Sequence, residues 1–417
     1  MSKVKNVVRK YIQQRINDEK LIDADICDDL EMIIVVPSFK ESLEDLLRLC
    51  ESLNVQETSI VHEMFIVLNN PASDEKAYHE NAVVWNSRNL FENYSFPIHL
   101  IDKMNLPDSK KVGVGNARKI GMDQALLRFE DISNEGIIVC LDADCTVALS
   151  YVQDIYDCFI KNPNAQALSI DFRHRIAELD NQETQIAITD YELHLRYYIH
   201  IQKWAQLPFA FQTVGSAMAV RTHAYAAEGG MPVLQAGEDF YFLHKFISKN
   251  SCINLKKPLV FPSGRISDRV PFGTGRAVGE ILSSDDPYKT YNPKSFTVLK
   301  RDLEIILDLY PNFDRLENEI SKESQAFFST VSYKEKIVQC HENTTNKQSF
   351  EKRFFQWFDA FLLMKYLHYL RDMFFPDMVL LEAVNMFEKI KGSNLVFETN
   401  REALNHYHRK DANEEPL

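Results

Sequence analysis

Two acidic side chains separated by one residue, Asp142 and Asp144, directly follow the apolar run at residues 137–141. A run of this length and β-rich composition predicts a buried strand, so both carboxylates should lie at the carboxyl end of that strand. Open α/β sheets bind their ligands at this edge. Carboxylate oxygens suit Mg²⁺ or Mn²⁺, and a pair of them can hold a metal ion that in turn holds a diphosphate.

The Asp-x-Asp pattern is weak evidence on its own, because the chain has 60 acidic residues and repeats the pattern at Asp23-Ala24-Asp25. That copy follows no apolar run of strand length, which favours a solvated, capping or linker role for its acids. The strand before Asp142 and Asp144 favours a ligand role over a structural cap of the next helix.

A basic, glycine-bearing stretch at residues 110–119 is the second candidate element. Gly113 and Gly115 allow close backbone approach, and Lys111 and Arg118 supply positive charge. Together with the free N–H groups that open the next helix, these features suit a phosphate group. A flexible surface loop is the alternative interpretation.

Two further charged stretches follow in the second half of the chain. Glu238 and Asp239 open an apolar helix, where they could be partners of the helix dipole or a general base aimed into a cleft. Arg265, Arg269 and Arg276 stand among glycines and hydroxyl residues, which fits a mobile phosphate clamp. An ordinary surface loop with ion pairs explains the same residue types.

The elements that must position these residues follow from hydrophobic periodicity. Short apolar runs alternate with segments of helical periodicity, which predicts βαβ units and a mostly parallel, doubly wound sheet of the α/β class with flanking helices. Pro37 should end the first strand, and Ser38 or Ser42 could cap the next helix. The predicted strands are at residues 32–36, 64–68, 98–101, 137–141 and 167–170, and the helices between them at 43–53, 116–129 and 151–160.

The two ends of the chain differ from this pattern. Residues 1–31 predict an amphipathic helix and an acidic connector, 32–280 form the predicted main domain, and 281–417 a helical C-terminal extension. Residues 354–375 are apolar on nearly every face, so they must be buried. Packing onto the main domain, or onto a second copy in a homo-oligomer, is favoured over membrane contact.

Composition excludes several classes of function. A net charge of -13 argues against a nucleic-acid-binding surface, which would need clustered Lys and Arg. The chain has no secretory signal and no uncharged apolar run of membrane-spanning length, so no transmembrane segment is expected. Seven scattered cysteines without paired spacing favour a reducing, cytoplasmic setting.

Four ordered motifs together resemble bacterial-type members of glycosyltransferase family 2, over roughly residues 32 to 276. These motifs are Pro37 with Glu41 after an apolar strand, Gly115-Asn116-Ala117-Arg118-Lys119-Ile120-Gly121, Asp142-Ala143-Asp144, and Gly229-Gly230 followed by Glu238-Asp239. The chain departs from the family where Lys119 replaces the usual Asn. It also has Asn69-Asn70 where many members have an acidic pair.

The resemblance implies the GT-A fold and a hexosyltransferase that moves a sugar from a nucleotide-diphosphate donor to a glycan, lipid-linked or small-molecule acceptor, with inversion. It implies Mg²⁺ or Mn²⁺ on Asp144 and Asp142, and Asp239 as the general base assisted by Glu238. The implied donor contacts are Pro37, Ser38, Glu41, Lys111, Gly115, Arg118, Asp142, Arg265 and Arg269.

Two other functions fit parts of the same sequence. Asp142-Ala143-Asp144-Cys145-Thr146 also resembles the nucleophile motif of haloacid-dehalogenase-type phosphatases, in which the first Asp is phosphorylated. That family usually carries the motif on its first strand, whereas three strand-helix units precede it here. The other alternative is a catalytically inactive protein that binds a nucleotide sugar.

Overall fold

The sheet expected from the apolar runs is present in the computed structural model, which describes residues 3–16, 19–109, 112–234, 237–265 and 273–413. These residues divide into two units. The sheet unit contains the described residues up to Asp180 and those from Gln212 to Gly279, and the helical unit contains Asn181–Phe211 and Glu280–Asn413. The chain therefore leaves the sheet unit and returns to it. The boundaries predicted at residues 31 and 280 stay predictions.

The sheet unit combines strands with flanking helices. Its strands are β1 (Leu30–Ser38), β2 (Val61–Pro71), β3 (Ile98–Leu106), β4 (Ile137–Cys140), β5 (Thr146–Val147), β6 (Ala167–Phe172), β7 (Met218–Arg221) and β8 (Cys252–Phe261). Its helices are α1 (Lys3–Arg15), α2 (Leu43–Asn54), α3 (Glu75–Asn86), α4 (Val114–Asp131), α5 (Tyr151–Lys161), α7 (Thr222–Ala227), α8 (Glu238–Ile247) and α9 (Thr274–Leu282), which reaches the boundary with the helical unit, with short 3-10 helices at Arg88–Asn93 and Ile176–Glu178.

The described strands form a sheet in the order β3-β2-β1-β4-β7-β6-β8-β5. β1 is parallel to β2 and β4, β2 is parallel to β3, and β6 is parallel to β8, whereas β7 and β5 run antiparallel to their neighbours. Six strands thus share one direction, and the predicted mostly parallel α/β sheet is confirmed. The loops after β1, β4, β6 and β8 all leave the same edge.

The prediction that Pro37 ends the first strand is wrong. β1 continues to Ser38, with Pro37 opposite Val67 of β2. On its other side β1 pairs with β4 only as far as Val35 and Cys140. Proline lacks an N–H group and cannot donate to a sheet. At residue 37 only one neighbouring strand is present, so the missing donor is tolerated.

Local capping explains where the helix after β1 begins. Ser42, one of the two predicted caps, accepts a hydrogen bond from the backbone N–H of Asp45 at 3.0 Å and starts α2. Ser38, the other candidate, is fully buried inside β1. A serine cap on the first free N–H groups typically stabilises a helix by about 1 kcal/mol.

The N-terminal helix is fastened to the sheet unit by buried polar contacts. Tyr11 of α1 donates to Asp123 of α4 at 2.9 Å, and Tyr225 of α7 donates to the same carboxylate oxygen at 2.7 Å. Lys119 completes this group through an ion pair with Asp123 and a 3.1 Å contact with Tyr11. Lys119, the residue that departs from the family motif, therefore has a structural role.

The helical unit consists of one long helix from the middle of the chain and the C-terminal helices. Its elements are α6 (Gln182–Trp204), α10 (Pro293–Asp308), α11 (Leu316–Glu319), α12 (Lys322–Ser329), α13 (Tyr333–Glu342), α14 (Lys347–Trp357), α15 (Ala360–Met373), α16 (Leu380–Ile390), α17 (Asn400–Asn413), and the antiparallel pair β9 (Lys289–Thr290) and β10 (Met378–Val379). A helical C-terminal region is thereby confirmed.

Buried charges join α6 to α17. Asp411 accepts hydrogen bonds from Arg196 and from Nε2 of His200, each at 2.9 Å, and His408 lies 2.5 Å from Glu192. All of these side chains are buried except that of His408, which is partly exposed. Because burying a charge without a partner is costly, α6 and α17 each depend on the other.

The apolar segment at residues 354–375 divides into two helices. α14 ends at Trp357, and Asp359 caps α15 by accepting from the N–H of Leu362 at 2.8 Å. Phe354, Phe358 and Tyr366 are completely buried within the helical unit. Burial of these rings therefore needs no second copy, and the predicted homo-oligomer stays a prediction. No helix among the described residues is long and apolar enough to cross a membrane.

Candidate active site

A turn at the end of β4 presents the two aspartates of the Asp-x-Asp motif. The N–H of Cys145 donates to the carbonyl oxygen of Asp142 at 3.1 Å, which closes the turn. Ala143 and Cys145 point into the core and are buried, whereas Asp142 and Asp144 are partly exposed. The motif thus alternates between core and solvent, and both carboxylates are accessible at the carboxyl edge of the sheet.

Arg118 of α4 connects this turn to the start of α8. Its Nη2 donates to Oδ1 of Asp142 at 2.5 Å, and its Nη1 donates to Oε1 of Glu238. The arginine side chain is only 4% exposed, and that of Glu238 only 2%. Arg118 was predicted to contact the donor, and the structure places it between two carboxylates. The donor contact remains a prediction.

Glycine at position 115 permits the close approach of the chain before α8. A Cβ atom on residue 115 would lie 2.6 Å from the carbonyl oxygen of Leu234 and 3.1 Å from Cγ of Glu238. Any side chain here would push α8 away from α4. The sequence suggested that Gly115 makes room for a phosphate; the structure shows that it makes room for the segment carrying Glu238.

Asp239, the predicted base, lies beside Glu238 in the first turn of α8 and is partly exposed. Burial, together with the neighbouring charges of Glu238 and Asp142, raises the pKa of Asp239 to about 6, against the lowering effect of Arg118. Burial lowers the pKa of Arg118, but the surrounding carboxylates raise it above its ordinary value. Asp239 can therefore exchange a proton near neutral pH while Arg118 stays charged.

A second arginine sits on the other aspartate. Arg265, in the segment after β8, places Nε 3.0 Å from Oδ2 of Asp144 and Nη1 2.8 Å from Oδ2 of Asp45, and its Nη2 donates to Glu41. Sequence reasoning did not select Asp45. The only signal was its position three residues after the Ser42 cap.

The remaining predicted donor contacts lie around the ends of β1 and β2. Pro37 and Ser38 are the last residues of β1, and Oγ of Ser38 is buried without a hydrogen-bond partner among the described residues. At the end of β2, Asn69 and Asn70 are fully buried, and Asn81 donates to the side-chain oxygen of Asn70 at 3.1 Å. The amides that replace the family's acidic pair thus belong to a buried network.

Two of the predicted contacts, Lys111 and Arg269, lie outside the described residues. Arg276, the third arginine of the predicted phosphate clamp, is on α9. Of the three arginines of the predicted clamp, Arg265 is the one that the described part of the structure places at the Asp-x-Asp motif.

The charges around the two arginines favour a cation. Within the described residues, six carboxylates surround two guanidinium groups, and Arg48 pairs with one of the six, Asp45, at 3.1 Å, which leaves an excess of three formal negative charges. The carboxylates are Asp142, Glu238 and Asp239 around Arg118, and Glu41, Asp45 and Asp144 around Arg265. No group of three or more His, Cys, Asp or Glu side chains in the described part is arranged to hold a metal ion.

Comparison with known proteins gives distant structural similarities only. No family model and no curated protein matches the chain. TarS residues 1-349 from S. aureus, solved in complex with UDP-GlcNAc, is 15% identical with a TM-score of 0.39, over 92% of this chain and 88% of that one. The mannosyltransferase PcManGT from Pyrobaculum calidifontis, in complex with GDP-Man and Mn2+, is 11% identical with a TM-score of 0.35, over 89% and 99%. TM-scores below 0.5 support neither fold nor activity.

Proposed function

We propose that this protein is a metal-dependent glycosyltransferase of the GT-A type. It would transfer a hexose from a nucleotide-diphosphate donor to an acceptor hydroxyl of a glycan, a lipid-linked molecule or a small molecule, with inversion. The observation that carries the proposal is Arg118, which joins Asp142 and Glu238 in one cluster at the carboxyl edge of the sheet. Arg118 thereby links Asp142, a proposed metal ligand after β4, to the start of α8, which carries the candidate base Asp239.

Asp239 would act as the general base. A base works best when its pKa lies near the working pH, and burial raises the pKa of Asp239 to about 6. Its carboxylate would take the proton of the acceptor hydroxyl as the oxygen attacks the anomeric carbon. Glu238, buried and bonded to Arg118, would hold the first turn of α8 in position.

Asp144 and Asp142 would hold Mg²⁺ or Mn²⁺, and their hard oxygen donors and the excess negative charge around them fit such an ion. The bound ion would offset negative charge that grows on the leaving diphosphate. Without a cation, the carboxylates around Asp144 would repel a diphosphate. Pro37, Ser38, Glu41, Gly115 and Arg118 line or support the edge where the donor would bind.

The decisive experiment measures thermal midpoints with UDP-, GDP- and dTDP-sugars, with and without Mn²⁺. We expect one nucleotide class to raise the midpoint only with metal, because a ligand that binds the folded state stabilises it. Asp144→Ala should abolish that rise. Asp25→Ala is a matched control, since Asp25 is the second aspartate of the exposed Asp-x-Asp pattern at residues 23–25, as Asp144 is in the pattern at residues 142–144.

Turnover then tests the base. With the donor identified by its thermal shift, Asp239→Asn should lower kcat by about 10²- to 10⁴-fold while donor affinity changes little. Turnover near wild type would exclude Asp239 as the base. If no nucleotide sugar shifts the midpoint, and the protein instead releases phosphate from phosphorylated small molecules in an Asp142-dependent manner, the glycosyltransferase proposal is wrong.

A further inference from the structure

We propose that Arg265 serves as an internal counter-ion for Asp144, and that a divalent cation must displace it from that carboxylate in order to bind. The inference rests on the proposed function for the metal site itself. It goes further in assigning Arg265 a role before the donor arrives: the arginine competes with the cation.

The contacts of Arg265 show how it substitutes for a cation. One guanidinium reaches three carboxylates in two separate parts of the chain, with Asp144 in the turn after β4, Glu41 just before the Ser42 cap of α2, and Asp45 in the first turn of α2. Without a positive charge at their centre, these three groups would repel one another. In partly buried surroundings that repulsion is stronger than in bulk water.

A cation bound to Asp144 would share this carboxylate with the guanidinium of Arg265. A metal–carboxylate bond is about 2.1 Å long for Mg²⁺, and Nε of Arg265 lies 3.0 Å from Oδ2 of the same carboxylate. The ion and the guanidinium would therefore lie within a few ångströms of each other. Two positive groups at that separation repel each other. Binding of the cation is therefore coupled to release of Arg265, and its apparent affinity is lowered by the strength of the Arg265–Asp144 contact.

The two arginines of the site differ in their freedom to move. The side chain of Arg118 is 4% exposed and lies between Asp142 and Glu238, so its departure would leave the buried carboxylate of Glu238 without this ion pair. The side chain of Arg265 is 26% exposed. It can release Asp144 and remain attached to Glu41 and Asp45, which lie just before α2 and in its first turn. Arg265 is thus the arginine that a cation displaces.

Direct measurement of Mn²⁺ binding without donor tests this inference, by electron paramagnetic resonance of the free ion. Arg265→Gln should lower the Kd for Mn²⁺ by about 5- to 100-fold, the usual range for coupled sites. Arg48→Gln is the control for charge, because Arg48 lies on α2 and pairs with Asp45, at 3.1 Å, and with Glu44, at 3.2 Å. It should change the Kd by less than about 2-fold, as expected for an exposed pair.

Each outcome separates the two proposals. If Arg265→Gln binds Mn²⁺ no more tightly than Arg48→Gln, the counter-ion role is overturned. If it binds more weakly, Arg265 supports the metal site and the inference is equally overturned. If Asp144→Asn binds Mn²⁺ as tightly as the wild-type protein does, the metal site of the proposed function is wrong instead.

Thermal midpoints give a second readout. Arg265→Gln should melt lower than wild type without metal and show a larger Mn²⁺-induced rise, because the cation replaces the missing charge. If Arg265→Gln does not fold, Arg265→Lys provides the test. It keeps the charge but loses the planar fork that reaches several carboxylates, so Mn²⁺ affinity should fall between wild type and the expected Gln value. An unchanged affinity in the Lys variant would contradict the competition.

Discussion

The guanidinium of Arg118 lies so close to Gly215 that a Cβ atom on residue 215 would be 2.4 Å from Nη1 of the arginine. The segment before β7 thus covers the arginine that joins Asp142 to Glu238. The absence of a side chain at Gly215, which is outside the four motifs, leaves space for Arg118 to contact Asp142 and Glu238.

Gly215→Ala should consequently displace Arg118 and weaken the whole cluster. We expect a loss of about 1–3 kcal/mol in the free energy of unfolding, the usual cost of overpacking, together with reduced metal-dependent donor binding. Urea unfolding and the thermal-shift assay measure the two effects. Gly229→Ala reports the cost of backbone strain alone, because its added Cβ would meet nothing within 4 Å and its φ is 77°. Equal donor binding in both variants would contradict this role of Gly215.

Asp239→Asn should stabilise the fold at neutral pH. Burial raises the pKa of Asp239 to about 6, so the folded protein holds this proton more tightly than the unfolded chain, whose pKa is about 4. The free-energy cost of holding Asp239 ionised in the folded protein is absent below about pH 4 and fully present above about pH 6. We expect the variant to gain up to about 3 kcal/mol at pH 7.5 and almost nothing at pH 4, measured by urea unfolding. The exposed Asp23→Asn should show no such pH dependence.

Asp411→Asn should loosen the helical unit. Burial raises the pKa of Asp411, but the hydrogen bond from His200 and the charge of Arg196 lower it to about 2. This carboxylate therefore contributes stability above its unfolded pKa, and the contribution is lost as the pH falls toward 2. Removing it leaves buried Arg196 with the longer ion pair to Glu192, at 3.5 Å, and takes the acceptor from His200, at a cost of about 3 kcal/mol at pH 7. Urea unfolding should show a smaller difference from wild type at pH 3, and the exposed Arg401→Gln should behave like wild type.

Arg128→Gln should release the acidic connector. Arg128 donates to buried Glu63 at 2.8 Å and to the carbonyl oxygens of Ala24 and Asp25 at 2.9 and 2.8 Å. We expect a loss of about 3–5 kcal/mol for breaking a buried pair, and faster proteolysis between residues 19 and 29. Arg9→Gln removes the exposed pair with Glu130 and should cost at most about 1 kcal/mol. Equal effects of the two substitutions would contradict the structural role of Arg128.

Hydrophobic patterning predicted the strands that contain a continuous apolar run. Each residue from Met32 to Val36 in β1 is fully buried, so an uninterrupted apolar run marks that strand. β8 was not predicted, because its middle is at least partly exposed and includes Lys256, Lys257 and Pro258. Two-residue β5 is too short to produce a pattern. Periodicity therefore detects strands with a continuous apolar run, including β3 at one edge of the sheet, and misses strands that are very short or interrupted by charged residues.

The site was predictable in its residue types and less so in its contacts. The apolar run before Asp142 and the helix after Glu238 indicated where both acids lie. No local pattern could show that Arg118 bridges them, because residues 118 and 238 are 120 positions apart. Asp45 was missed for the same reason: it is separated by 220 positions from Arg265. Such contacts depend on the order of strands in the sheet.

The helical unit is built from two separated parts of the chain, and this has a consequence for synthesis on the ribosome. α6 ends at Trp204, but α17, which supplies Asp411 to Arg196 and His200, begins at Asn400. At about 5–20 residues per second, roughly 10–40 s separate the two helices. During that interval α6 lacks its partner helix, so a chain that stops before Asn400 would leave Arg196 and His200 of α6 without Asp411.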